Sequence, residues 1–223
     1  MWDRRVERWD HQAATDLQPV IDAVLEIADV QPGAVAVDLG CGTGQLSLPM
    51  ARAGADVLAV DLSSTMVERL QQKAEAAALE SLRGVVCPME LLDLPAGSVD
   101  LVVSSYAFHH VRDRDKERLV VNAARWLRPG GKLVLGDMMF GRGATARDRA
   151  IIVSKFKILA RRGPGGWWRL VKNIARYTFR FQERPVSIDT WKLYFERAGL
   201  ADIRSQPVVS EAAVVSGTKP EPA

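Results

Sequence analysis

The chain has 223 residues, 48% of them hydrophobic and 26% charged, with a formal net charge of +3. That is the composition of an ordinary folded domain, and it excludes a disordered or fibrous protein. The length suffices for one substantial core, so a single domain is expected over 1–217, followed by a mobile tail at 218–223 with two prolines and no apolar anchor. No apolar run approaches the roughly 20 residues that span a bilayer. Met1-Trp2-Asp3-Arg4-Arg5 leads into charge rather than a secretory core, so a cytoplasmic location is expected. Cys41 and Cys87 lack CxxC spacing and stand in strand-like surroundings, which argues for reduced thiols. The charge is uneven, because residues 142–184 hold twelve Lys or Arg against two acids and the remainder is acidic.

Leu17, Val20, Ile21, Val24, Leu25 and Ala28 recur at helical spacing until Pro32-Gly33 breaks the pattern. The apolar run 34–39 then reads as a buried strand. Residues 45–53 form a short predicted helix ending at Gly54, and 56–60 a second strand ending at Asp61. Thr65 with Glu68 has the pattern of a capping box, heading an Ala- and Gln-rich helix to about 79. Further strands are expected at 85–87, 99–104 and 132–138. The last of these follows a helix over 115–127 and the turn Arg128-Pro129-Gly130-Gly131. Beyond the basic stretch, 189–198 reads as a helix closed by Gly199, and 201–209 with 211–217 as a terminal strand pair. Helices alternating with almost continuously apolar strands imply a Rossmann-like, doubly wound α/β fold. Its sheet is seven-stranded and mostly parallel, with helices on both faces and a helical insertion after the fifth strand.

In such a fold ligands bind beyond the carboxyl ends of the strands, where the first strand passes to its helix. Asp38-Leu39-Gly40-Cys41-Gly42-Thr43-Gly44 occupies that place. Glycines there permit positive φ and close approach of a ligand, and the helix N-terminus beyond them offers N–H groups to an anion. A nicotinamide dinucleotide calls for G-x-G-x-x-G, whereas the spacing here is G-x-G-x-G with Gln45 at the last dinucleotide position. Asp61, at the end of the second strand, can accept ribose hydroxyls of either kind of cofactor.

Val37 through Gly44, Val60-Asp61-Leu62-Ser63, Leu94-Pro95 through Ser98-Val99-Asp100-Leu101-Val102-Val103-Ser104, and Leu127-Arg128-Pro129-Gly130-Gly131 follow one another along the chain. In this order they resemble the class I S-adenosylmethionine (SAM)-dependent methyltransferases, in particular the group acting on small molecules and lipid-like quinones. The resemblance covers about residues 1–140. It implies that Gly40, Cys41, Gly42 and Gly44 hold the methionine part of SAM, and that Asp38 orients the turn and reaches the methionine ammonium indirectly. It also implies that Asp61 holds the ribose with Leu62 beside the adenine. Glu90 falls where the family often has an acid on the adenine amino group, and Leu91 is expected to offer its backbone N–H to the ring. Ser104 completes the expected cofactor set, and the product is S-adenosylhomocysteine (SAH).

Methyl transfer from a sulfonium depends on alignment and exclusion of water, with a base needed only where the acceptor loses a proton. Ser104-Ser105-Tyr106-Ala107-Phe108-His109-His110 is expected to project over the methyl group. His109 is the first candidate for a base, since an imidazole titrates near neutrality. His110 is the second candidate or a packing residue, and Tyr106 a wall of the acceptor pocket. Three histidines without clustered carboxylates give no metal site. The Asn/Asp-Pro-Pro-Tyr signature of methyltransferases acting on amino groups of planar bases is absent. Nor does Cys87 match the cysteine-dependent RNA cytosine methyltransferases. Both departures weaken a nucleic-acid assignment, and the resemblance implies a small, hydrophobic or aromatic acceptor.

Trp2, Trp9 and Asp10 resemble a lid over SAM, placed at 1–30, with a packing helix as the alternative. In the basic insertion, placed at 141–186, Leu170, Ile174, Tyr177 and Phe181 share one helical face and Lys172, Arg176 and Arg180 another. With Gly163-Pro164-Gly165-Gly166 and Trp167-Trp168 before it, this helix could cap the acceptor pocket, lie peripherally on an anionic membrane, or contact phosphates. Two rival functions stay open at this level: a SAM-binding regulator without catalysis, and an RNA-modifying methyltransferase working through the basic insertion.

Overall fold

The computed structural model describes residues 17–141 and 184–222, together with the isolated positions Arg149 and Val153. Trp2, Trp9 and Asp10, and the amphipathic pattern from Leu170 to Phe181, lie outside the described residues.

Seven strands form one sheet: β1 (Val35–Leu39), β2 (Asp56–Asp61), β3 (Leu82–Val86), β4 (Val99–Ser105), β5 (Leu127–Met138), β6 (Ala201–Pro207) and β7 (Ala212–Thr218). Their order is β3-β2-β1-β4-β5-β7-β6. The first five run parallel, and β7 lies antiparallel between β5 and β6. The expected doubly wound architecture is therefore present, with its one antiparallel region where β7 runs against β5 and β6. Strand order reverses between β1 and β4, the place where an open α/β sheet has its ligand crevice at the carboxyl ends of the strands.

Successive residues of each strand serve opposite helix layers. Ala36, Val57, Leu101, Val103 and Val134 pack against α1 (Gln18–Ala28), α2 (Ser47–Arg52) and α3 (Ser64–Ala76). Val37, Leu39, Val102, Leu133 and Leu135 pack against α4 (Asp113–Trp126) and α5 (Ile188–Arg197). This period of two places Asp38 on the α1–α3 side and Asp137 on the α4–α5 side. The described part of the expected N-terminal lid is a core helix. α1 buries Val20, Ile21, Ala23, Val24 and Ala28, and a Cβ at Gly136 of β5 would come within 2.7 Å of both Val20 and Val24.

Several boundaries differ from the sequence pattern for local reasons. The cap of α3 is Ser63, whose hydroxyl accepts from Met66 N–H, so Thr65 lies inside the first turn and Glu68 in the second. Asp61 fixes this earlier start, because its Oδ1 accepts the Ser63 N–H at 2.9 Å. Arg128-Pro129-Gly130-Gly131 continues β5 with one register shift rather than separating it from α4. The tail is tied as far as Lys219, which exchanges 2.8 Å backbone bonds with Gly130 and Gly131. Among the described residues, no helix is long and apolar enough to cross a membrane.

Candidate active site

A cavity of about 200 Å3 lies at the carboxyl ends of β1, β2 and β4. Asp38, Gly40, Cys41 and Gly42 border it from the β1 end, Asp61 and Leu62 from β2, and Glu90 from the short 3-10 turn after β3. Tyr106 and His110 border it from the segment after β4, and Leu17 and Ile21 from α1. Gly44, Leu91, Ser104 and His109 are not on its wall.

The glycine turn is closed on itself. Gly40 and Cys41 N–H both donate to Val60 O, Gly44 N–H to Cys41 O, and Gly42 N–H to Asp61 Oδ2 at 2.9 Å. These four amides of the turn are therefore spent within the protein. The space above Gly40 is taken by protein as well: at its φ of +75°, a Cβ would lie 2.3 Å from Ala107 Cβ and 3.2 Å from Met89 Cε. Gly44 is likewise covered, by Leu70 and Leu48. These two glycines thus let neighbouring side chains approach the turn closely. Gly40→Ala is expected to destabilise the protein by about 2–4 kcal/mol through strain and overpacking, read as a lowered Tm.

What the turn presents to the cavity is negative charge. Asp38 is buried, and its Oδ2 accepts from Ser47 Oγ at 2.5 Å. Burial pushes its carboxyl up to about 7; the Ser47 bond opposes the rise and the nearby Asp61 charge adds to it. Burial, reinforced by the same two acids, also raises the Cys41 thiol well above the usual range, so it stays a thiol. No Lys or Arg stands among the described residues of the cavity wall. A pyrophosphate would meet carboxylates and no cation there, whereas a cationic ligand is matched.

The family model for a methyltransferase domain matches residues 37–135, from β1 into β5. Residues 37–135 thus resemble a methyltransferase domain. An uncharacterised methyltransferase of Geobacillus kaustophilus is 30% identical over 141 residues, 62% of this chain and 62% of that protein. The chain thus matches over about six-tenths of that relative's length. The solved structure of a SAM-dependent methyltransferase from Aquifex aeolicus shares the fold at TM-score 0.66 and 16% identity, over 97% of this chain and 98% of that one. A Burkholderia thailandensis 1,6-didemethyltoxoflavin-N1-methyltransferase, crystallised with 1,6-didemethyltoxoflavin and SAH, has TM-score 0.65 at 18% identity, over 93% of this chain and 79% of its own.

The Aquifex aeolicus neighbour is SAM-dependent and the Burkholderia one was crystallised with SAH, and this cavity has groups that suit such a ligand. Asp38 Oδ1 and Ser105 Oγ are buried on the cavity wall without a hydrogen-bond partner. A ligand bringing N–H or O–H groups relieves a penalty of about 1–3 kcal/mol at each. Ser105 takes the place expected of Ser104, whose hydroxyl instead donates to Leu39 O at 2.6 Å across the sheet. Strand parity is the signal that distinguishes them, since Ser105 continues the Leu101, Val103 row toward α1–α3. Leu91 does not have a free N–H for an adenine, because that group donates to Pro88 O at 2.9 Å and its side chain is 74% exposed. The two histidines exchange their expected places. His109 is buried with Nδ1 2.6 Å from Asp137 Oδ1, while His110 borders the cavity. Tyr106 sits at φ +52°, left-handed backbone that a non-glycine residue seldom adopts.

Proposed function

We propose that the protein transfers the methyl group of SAM to a small, hydrophobic or aromatic acceptor held between α1 and the turn after β4. The observation that carries this is the make-up of a single cavity. Asp38, Asp61 and Glu90 contribute acids from the β1–β3 ends, whereas Leu17, Ile21, Tyr106, Ala107 and Val111 contribute an apolar and aromatic wall. When bound, SAM supplies an electrophilic methyl group on a sulfonium. Asp38 receives the cationic amino-acid part, Asp61 the ribose with Leu62 beside the adenine, and Glu90 the adenine amino group. Ser105 donates to the ligand at the β4 end. The apolar wall keeps water out and aligns the acceptor, the larger source of rate in such a displacement. His110 takes the acceptor's proton where one must leave, a contribution of about 10² to 10⁴. The Burkholderia enzyme, crystallised with a small molecule and SAH, is in keeping with a small acceptor.

Isothermal titration checks the cofactor side directly. SAM and SAH are expected to bind and NAD to give no heat; binding of NAD without SAM would overturn the reading.

A further inference from the structure

The cofactor side leaves a set of buried charges unused. His109, Asp137 and Lys116 are all buried. Asp137 grips the His109 turn twice, with Oδ1 2.6 Å from Nδ1 and Oδ2 accepting the His109 N–H at 2.8 Å. An ionised carboxylate only accepts, so Nδ1 carries the proton. From the other side the backbone of Arg184 holds the same turn, its N–H donating to His109 O at 2.6 Å. Arg184 is held in turn by Lys116 Nζ, which donates to its carbonyl and to Asp113 Oδ1 at 3.0 Å.

Burying a hydrogen-bonded histidine and aspartate with a lysine gains little over apolar side chains of the same volume, so stability does not account for them. What they determine is position. The His109 ring lies against the His110 ring at 3.9 Å between centroids and meets the Tyr106 ring edge-on at 6.5 Å. Both of those neighbours border the cavity. We infer that Asp137 and Lys116 are positioning residues, which hold the His109 turn from β5 and from α4 so that His110 and Tyr106 face the acceptor. The inference rests on the acceptor-side reading given above.

With only three histidines in the chain, ring 15N–1H spectra of the full-length protein test it, with and without SAH. In Asp137→Asn the His109 signals should leave the Nδ1-protonated pattern and the His110 signals should move with them. SAH affinity should stay within about twofold, because Asp137 itself is not on the cavity wall. Lys116→Met should move the His110 signals while leaving Asp137 in place, and Lys116→Arg should return them; this pair reads the same coupling if Asp137→Asn does not fold. His110 signals at wild-type positions in Asp137→Asn or Lys116→Met would overturn the inference. Failure of the wild-type protein to bind SAH would instead overturn the cofactor reading, since the histidine coupling is also read on the free protein.

Discussion

Asp38→Asn is expected to stabilise the ligand-free protein at pH 8 by about 2–4 kcal/mol and to weaken SAM binding roughly 10- to 100-fold. The two effects share one cause. The Asp38 carboxyl ordinarily loses its proton at 3.8 but is pushed to about 7 in the fold, chiefly by burial. Between those values the folded chain keeps a proton that the unfolded chain has given up. Stability from this group is therefore greatest below about 4 and falls as pH rises to about 7. At roughly 1.4 kcal/mol per unit, the full loss is about 4 kcal/mol above that window. Asparagine stays neutral and keeps a carbonyl for the Ser47 hydroxyl, so it escapes the loss. Urea unfolding at pH 5 and pH 8 is the check, and an equal difference between wild type and variant at both would sink the argument. Binding has the opposite sign: a cationic ligand favours the carboxylate, so wild-type affinity for SAM should rise with pH toward 7 and then level. The variant should lack that rise.

The first two strands of the parallel half are legible in the sequence because each is a largely apolar run that ends at a marked residue. Val35–Leu39 ends in the glycine turn and Asp56–Asp61 in an acid. The cofactor family is legible for the same reason, since its motifs sit at those strand ends. What escapes is decided by partners distant in the chain. His109 and His110 are indistinguishable by composition; Asp137, 28 residues further on, captures the first and leaves the second at the cavity. Ser104 and Ser105 differ only in which side of the sheet they face. The internal bonding of the glycine turn escapes for the same reason: Asp61 and Val60 accept its amides, and Ala107 stands over Gly40. Thr65 and Glu68 match a capping pattern, but Asp61 draws the chain into the helix at Ser63 before that pattern applies.

Asp61→Ala should weaken SAM binding by about 1.5–3 kcal/mol, again roughly 10- to 100-fold. A carboxylate has about four acceptor positions, and two of those of Asp61 are taken by the N–H groups of Gly42 and Ser63, each at 2.9 Å. The carboxylate borders the cavity, so its remaining positions can serve the two ribose hydroxyls. The same group therefore shapes the glycine turn and receives the ligand. Removing it should also lower stability by about 1–3 kcal/mol, because two amides lose their acceptor. The roles separate in a cycle that pairs the variant with an SAH analogue lacking the ribose hydroxyls. If Asp61 holds the ribose, deleting both partners costs no more than deleting either one. Fully additive losses would mean that Asp61 acts on binding only through the turn. Unchanged affinity in the single variant would move the cofactor off the end of β2 altogether.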